Sequence, residues 1–449
     1  PLLCPRGRAA VMAMKMNDRL REALKSIAII ALTVNAVFLA YKSEVFNEFL
    51  ASSELAGRIN AYLRGNDGSG GGSGGTAAST SVEAARPVKM AVVNDSGMRC
   101  AQQYDGAALS YMFEKTANVF GEALGSATAA ERCEERDWRR ALRAPGIYLD
   151  YEAELPISAL TQWLGVSAAS ENAHSASRFA VVVESGTSAA VYYTDGEEYY
   201  RSESAAPVDS MKQVLSEFLP NGAYFAFESA SCGDVAPYTL IFPQTGDRYA
   251  VTVESGTGYK EIREHTAEAL GMNTLGGASY TEQNGTMVFV GSGGILKMHQ
   301  DGEINYSSTD YGTQENGSEK SRPSDAELID RSFVLISDIR AGDNGCETVR
   351  FTDIKTNGDG TRTLSFEYYI DGARVVQKSG SAVTAVFEND RLVYFNIWLR
   401  RYELTDEKTL LLPQLQAAAI AGGVKKGSGL SLVYHDGGEE KILPVWAAV

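Results

Sequence analysis

A single apolar segment near the start of the chain constrains its fold more than any other feature. Residues 26–41 read SIAIIALTVNAVFLAY and carry no charge, with Lys25 and Lys42 at the two ends. A membrane-spanning helix needs about 20 apolar residues, and flanking lysines lengthen a shorter one because their ammonium groups extend toward the headgroups. In lipid, a helix is the only single-segment structure that bonds every backbone amide internally. The sequence therefore predicts a transmembrane anchor at 26–42.

The basic residues before this segment predict its orientation. The flank holds Lys15, Arg19, Arg21 and Lys25, and positively charged flanks stay in the cytoplasm. We therefore expect a cytoplasmic leader at 1–25, with the bulk of the chain extracytoplasmic. A cleaved signal peptide has the same layout. We favour an uncleaved anchor because residues 39–42, Leu-Ala-Tyr-Lys, fit the small-x-small pattern of a cleavage site poorly. Both interpretations export the remainder of the chain.

Charge and cysteine content argue against several function classes. The formal net charge is −16, and because the first 42 residues carry +5, the rest of the chain carries −21. An acidic surface disfavours nucleic acid as a ligand. The five cysteines and four histidines are scattered without CxxC or metal-ligand spacing, so we expect no disulfide framework, no metal site and no cofactor. The sequence leaves open whether Cys100 and Cys133 form a bridge.

The pattern after the anchor predicts an α+β protein. Strand-like alternation and amphipathic helical segments succeed one another from Pro87 onward, with turn dipeptides such as Asn284-Gly285 and Asp371-Gly372 between strands. We expect antiparallel sheets with helices packed on one face, following a single N-terminal transmembrane helix. The predicted organisation is a juxtamembrane helix at 43–64, a Gly/Ser linker at 65–86, α+β domains at 87–205 and 206–308, a linker at 309–322 and a last α+β domain at 323–449.

Several local signals are specific enough to test. Ser324 followed by Glu327 predicts a capping box at the start of a helix. Pro413 predicts the start of a helix over 414–421, which Gly422-Gly423 would end. The segment FAVVVESGTS and the later segment YAVTVESGTG share seven of ten residues. A duplicated unit and a coincidence between two strand-turn segments are both open interpretations.

The sequence contains no catalytic constellation that we can identify. The motifs SxxK, HExxH and the phosphate loop GxxxxGK[ST] are absent. Glu184 and Glu254 occupy matching places in the two similar segments, and solvated positions explain them better than a shared pocket does. We therefore expect a protein that is not an enzyme, although an extracytoplasmic hydrolase with unrecognised residues remains a third hypothesis.

Several segments of the chain resemble the YycH/YycI regulators of the two-component system that controls cell-wall metabolism in Gram-positive bacteria. A basic leader and one apolar segment precede a large α+β region in both. The segment GGILKMHQDGEINYSS is similar to a strand pair of YycH. The YycI-type domain, which is itself similar to PepSY modules, resembles FEYYIDGARVV, SAVTAVFENDRLVYFNIWLRRYEL and ILPVWAAV. The sequence also suggests initiation at Met12, Met14 or Met16 and a further strand after Val449.

The resemblance implies a non-enzymatic membrane regulator whose partners are a sensor histidine kinase and a paralogous regulator. Its anchor would pack beside the kinase helices, and its outer part would contact the kinase's outer domain. Thr33 and Asn35 lie in the middle of the apolar segment, where a polar side chain gains from a partner helix's hydrogen bond. They are therefore candidate contact residues, although Asn35 bonding to its own backbone is an equal alternative. The alternative function is a surface-anchored PepSY-like binding module for a peptide, glycan or protease.

Overall fold

The computed structural model describes residues 84–449, except for 168–173, 256–259, 273–277, 292, 310–321, 341–344 and 379. All of the described residues belong to one unit of the chain, Thr80–Val449. The predicted leader, anchor and juxtamembrane helix lie outside the described residues. Within the described ranges, no helix is both long enough and apolar enough to span a bilayer.

Seven antiparallel strands form the first sheet, in the order β2-β1-β4-β5-β6-β7-β3. Each residue of β6 is buried, which happens only when both faces of a sheet are covered. The strands are β1 Lys89–Val93, β2 Arg99–Gln102, β3 Glu131–Cys133, β4 Gly146–Pro156, β5 Ser175–Val183, β6 Ala189–Thr194 and β7 Tyr199–Ser204.

Helices cover this first sheet on both faces. Helix α1, Gly106–Gly125, places Phe120 against Phe179 of β5, with ring centroids 5.7 Å apart. On the other face lies α2, Glu135–Ala141, whose Trp138 is 6.3 Å from Tyr148 of β4. Tyr148 pairs with Ala180, and residues adjacent in a strand point to opposite faces. The expectation of helices on one face is therefore wrong for this sheet. Helix α2 was not predicted because it is short and Trp138 is its single large apolar side chain.

An eleven-stranded sheet dominates the second half of the chain, in the order β11-β12-β13-β14-β19-β18-β16-β17-β21-β23, with β15 added beside β16. Its strands are β11 Ala278–Thr281, β12 Met287–Gly291, β13 Gly294–Met298, β14 Glu303–Ser308, β15 Glu347–Thr356, β16 Arg362–Ile370, β17 Ala373–Gln377, β18 Val383–Glu388, β19 Arg391–Trp398, β21 Leu430–Asp436 and β23 Pro444–Ala448.

Two small sheets and five further helices complete the described fold. One sheet has the order β20-β10-β22, and the other is the pair β8-β9. These strands are β8 Tyr224–Phe225, β9 Leu240–Ile241, β10 Arg248–Ser255, β20 Arg400–Thr409 and β22 Lys441–Ile442. The helices are α3 Ile157–Trp163, α4 Val208–Ser216, α5 Lys260–Ala269, α6 Asp325–Ile339 and α7 Gln414–Val424.

The predicted α+β class with antiparallel sheets is confirmed. Among the described strand pairs, β17 and β21 run parallel. Strand β14 pairs with β19, so residues on the two sides of the predicted linker at 309–322 share one sheet. Strand β10, which lies before this predicted linker, likewise pairs with β20, which lies after it. Where the domain boundaries fall stays a prediction.

The local turn and cap signals are reproduced in the structure. The Ser324 hydroxyl accepts a hydrogen bond from the Glu327 amide at 3.2 Å, and the Glu327 carboxylate accepts one from the Ser324 amide at 2.7 Å. Asp371 and Gly372 both have positive φ, at 47° and 78°, as a type I′ turn requires. The helix predicted to begin after Pro413 begins at Gln414.

The end of α7 differs from the sequence expectation. The helix continues to Val424, so Gly422 and Gly423 lie inside its last turn. Gly422 is needed there because a Cβ would lie 2.6 Å from Cβ of Asp234, whereas a Cβ on Gly423 would have no described neighbour within 4 Å. A glycine in a helix costs roughly 0.5–1 kcal/mol relative to alanine. The fold of one chain therefore explains Gly422 but not Gly423.

The stability of the protein is expected to rise as the pH falls from 8 to 5. Burial raises the pKa of Glu367 in β16 from 4.5 to about 7, so between these values the native protein binds a proton that the unfolded chain does not. The free energy of unfolding then falls with rising pH, by at most about 1.4 kcal/mol per unit for one group. Urea unfolding at several pH values should show a shallower slope for Glu367→Gln. The exposed Glu203→Gln change is the control, and an unaltered slope in Glu367→Gln would contradict the assignment.

Candidate functional site

The residues that the sequence singled out as partner contacts are not covered by the structure. Thr33 and Asn35 lie outside the described residues, so their contact with a partner helix stays a prediction. Glu184 and Glu254 are both described: Glu184 directly follows β5 of the first sheet, whereas Glu254 lies in β10 of another sheet. Glu184 accepts hydrogen bonds from Tyr192 and Arg201, while Glu254 lies opposite Arg401 on the neighbouring strand. The two similar segments therefore do not build one pocket.

The described residues hold no cluster of three or more His, Cys, Asp or Glu side chains that could bind a metal ion. The thiols of Cys100 and Cys133 are both free, so the bridge that the sequence left open is not formed here. Burial raises the pKa of the Cys133 thiol to about 11. A thiol with a raised pKa is a poor nucleophile near neutral pH because the thiolate is the reactive form.

One polar cleft of about 450 Å³ lies beside the first sheet. Three parts of the chain form it: the start of β2, the segment after α2 and the turn after β8. Its lining is Gly97, Arg99, Arg143, Ala223, Tyr224, Glu228 and Ser229. We call it the Arg99 cleft.

A buried ion pair forms the inner wall of the Arg99 cleft. The Arg99 guanidinium donates to both carboxylate oxygens of Glu228, at 2.5 and 3.2 Å, and to the Leu142 carbonyl at 3.0 Å. It also lies 4.5 Å from the ring centroid of Phe225, whose backbone amide donates to Glu228. Burial alone would raise the pKa of Glu228, yet these hydrogen bonds hold it below its usual value. A carboxylate held in this way stays ionised and is a weak general base.

Arg143 forms the outer wall of the Arg99 cleft. Its side chain is 58% exposed and its Nε lies 3.6 Å from Glu228. The guanidinium is 5.0 Å from the centroid of Phe227, which stacks on Phe225. The lining described above contains one carboxylate, already paired, and no histidine. The cleft therefore does not present the converging Glu and His side chains that the hydrolase hypothesis requires.

A nearly fully buried carboxylate lies on β4, beside basic side chains of β1 and β5. Asp150 is 1% exposed and accepts hydrogen bonds from Arg178 at 3.2 Å and from the Tyr148 hydroxyl at 3.0 Å. The Lys89 ammonium lies 3.7 Å from Asp150 and 2.7 Å from Glu152. Burial alone would raise the pKa of Asp150, but Lys89 and Arg178 lower it to about 2. Two cations and two carboxylates thus balance one another around the buried Asp150 side chain, and we call these four residues the Asp150 network.

The Asp150 network connects the first sheet to the eleven-stranded sheet. The Tyr369 hydroxyl, on β16, donates to Glu152 at 3.2 Å. Glu152 has φ of 59°, a conformation that non-glycine residues rarely adopt. Such backbone strain persists only where the surrounding contacts enforce it. The network therefore fixes how β4 and β16 meet.

Two further contacts join the early part of the described chain, which forms the first sheet, to the later part, which forms the eleven-stranded sheet. Asp330 of α6 accepts hydrogen bonds from the Trp163 indole at 2.5 Å and from the Gln162 amide at 3.0 Å. Burial raises the pKa of Asp330 to about 6. The Tyr104 hydroxyl accepts a hydrogen bond from the Leu432 amide at 3.0 Å. These hydrogen bonds hold the two parts of the chain together where they meet.

Sequence reasoning missed the Asp150 network. Lys89, Asp150 and Arg178 lie on β1, β4 and β5, and nothing in their spacing along the sequence shows that these strands are neighbours. One signal was present: Asp150 interrupts the apolar run of β4, where a charge is costly unless it is paired. That signal indicates a buried ion pair without identifying its partners.

The comparisons with known proteins give one match, at the level of fold. No protein-family profile and no curated protein sequence matches the chain. The α+β architecture described above is similar to that of one solved structure, the crystal structure of YycH from Bacillus subtilis. The TM-score is 0.51 at 14% sequence identity, over 82% of this chain and 94% of that one. The likeness thus supports a YycH-like fold, while the YycI- or PepSY-like character of residues 323–449 stays a prediction.

Removing the central charge of the network is expected to destabilise the protein strongly. Asp150→Asn leaves Lys89 and Arg178 with the more exposed carboxylate of Glu152, and removing one partner of a buried ion pair costs about 3–5 kcal/mol. Urea unfolding at neutral pH measures the change. Glu282→Gln is the control because it removes a partly exposed ion pair with Lys297, which contributes little. Equal stability losses in the two variants would show that the network is not a major stabilising contact.

Proposed function

We propose that this protein is a membrane-anchored extracytoplasmic regulator that modulates a sensor histidine kinase of a two-component system. It would act through contacts in the membrane and between ectodomains. The observation that carries the proposal is the YycH-like fold, which extends over 94% of the YycH chain. The basic leader and the apolar segment at 26–42 support the membrane location, with the N-terminus in the cytoplasm and the bulk outside.

The chemistry of the described residues supports a role in contacts. The carboxylate of the Arg99 cleft is engaged by Arg99, and those of the Asp150 network are engaged by Lys89 and Arg178. Ion pairs of this kind position backbone elements. They do not leave a base free to accept a substrate proton.

Reconstitution with the kinase tests the proposed function. The full-length chain and the sensor kinase of the same organism would be placed together in liposomes, and kinase autophosphorylation would be measured against liposomes holding the kinase alone. We expect the rate to change at least severalfold when the chain is present. An unrelated single-pass membrane protein at equal density is the control. An unchanged rate, together with failure of the two proteins to co-purify, would overturn the proposal.

The predicted contact of Asn35 in the membrane gives a more specific expectation. Asn35→Leu removes a polar group from the middle of the anchor, and an interhelical hydrogen bond in lipid contributes roughly 0.6–2 kcal/mol. Co-purification of the kinase from membranes should therefore fall by about 3- to 30-fold. Ala36→Leu is the matched control because it changes a neighbouring residue without removing a polar group. Equal recovery of the kinase with Asn35→Leu and Ala36→Leu would show that Asn35 is not a contact.

A further inference from the structure

Exposed apolar side chains are concentrated in one part of the described fold. Fifteen large apolar side chains are exposed among the described residues, and nine of them lie in the last 46 positions. Scattered exposed apolar residues are normal, but a local concentration marks an interaction site. The nine are Leu404, Leu410, Leu412, Leu415, Ile420, Val424, Leu443, Val445 and Val449.

Helix α7 carries the most ordered part of this concentration. Its exposed residues form one side of the helix and include no charge, whereas the outer side of a surface helix is normally polar. Ile420 is 58% exposed and Val424 is 79% exposed. We define the α7 face as Leu415, Gln416, Ala419, Ile420, Gly423 and Val424.

The fold of a single chain accounts for the other side of α7 only. Ala417, Ala418 and Ala421 are buried in a cluster with Val235 and Ile241. The α7 face takes no part in that cluster. Gly423 also lies on this face, and a Cβ there would meet no described atom within 4 Å. Large apolar side chains and a glycine that no contact among the described residues requires therefore occur together.

We propose that the α7 face binds the α7 face of a second copy of this chain, as an antiparallel helix pair about a two-fold axis near Ala419. Residues 415 and 423 are equally far from 419. An antiparallel pair therefore places Leu415 of each copy over Gly423 of the other, with a small residue on the axis. A two-fold interface requires such self-complementarity. In a parallel pair the two leucines would meet each other and the two glycines would leave a gap.

Charge favours the same arrangement. The chain is acidic, with net charge −16, so two copies repel each other over most of their surfaces and least where a face is uncharged. Lys425 and Lys426, both exposed, follow directly after the α7 face. An antiparallel pair keeps these lysines at opposite ends and aligns the two helix dipoles favourably. A parallel pair would bring four lysines together.

The area of the α7 face determines how strong a dimer we expect. A fully buried Leu or Ile corresponds to roughly 60–120 Å² at the usual 25 cal/mol per Å², so the α7 face with Leu412 offers on the order of 300 Å² per copy. A stable interface buries about 800 Å² per partner. The α7 face is smaller than that, so we expect a weak, reversible dimer.

Sedimentation of the full-length chain in detergent tests the proposal. The unaltered protein is expected to show a monomer–dimer equilibrium, and Ile420→Glu, which places a charge in the interface, should raise the dissociation constant at least tenfold. Leu219→Glu is the matched control because Leu219 is 84% exposed and lies outside the α7 face; it should leave the constant unchanged. Monomer at every concentration, or a dimer equally strong in Ile420→Glu, overturns the proposal. A monomer whose binding to the kinase is lost in Ile420→Glu also overturns it.

Cross-linking tests the antiparallel geometry. Ala419→Cys places a thiol on the two-fold axis, so oxidation in membranes should give a covalent dimer well above the level of Leu219→Cys, which reports random collisions. Gly423→Ala separates folding from association. It should raise the midpoint of thermal unfolding, because alanine is the better helix former, and weaken the dimer, because Leu415 loses its space. A covalent yield with Ala419→Cys no higher than with Leu219→Cys contradicts the antiparallel pair.

Discussion

The pairing of Asp150 with Lys89 and Arg178 is the contact on which the rest of the described structure depends. A lone carboxylate at 1% exposure would take up a proton rather than stay charged, and the two cations are what keep it ionised. Because Glu152 follows in a strained conformation and bonds to Tyr369 of another sheet, the same contact determines where the two large sheets meet. The YycH-like arrangement of the sheets is thus stabilised by polar contacts as well as by apolar packing.

The sequence predicted what depends on neighbouring residues and missed what depends on distant ones. The capping box at Ser324 and the turn at Asp371-Gly372 were predictable because their hydrogen bonds and φ angles are set within a few residues. Helix α2 was missed because it has seven residues, five of them charged, and its single large apolar side chain is Trp138. The addition of β14 to β19 could not be predicted, since no local pattern indicates which edge strand pairs with which.

The candidate sites show the same distinction between features that neighbouring residues determine and features that distant residues determine. The absence of a catalytic motif could be judged from the sequence, and the one carboxylate of the Arg99 cleft is indeed bound by an arginine. The concentration of exposed apolar residues could not be judged, because the sequence does not show which side of α7 faces the cluster around Val235 and Ile241. The sequence placed the end of α7 before Gly422. The structure extends it to Val424 and so places Ile420 and Val424 on one continuous face.

A weak self-contact through α7 suits the proposed role better than a strong one would. Two chains anchored in the same membrane would have a much higher effective concentration for each other than free chains do, so a weak contact can still form. The same weakness lets the contact be exchanged for one with another partner, because the free-energy difference that such an exchange must overcome is small. A permanent dimer would hide the most apolar surface of the described fold. A reversible dimer leaves that surface available as the density of chains in the membrane changes, and a regulator that acts by contact requires this property.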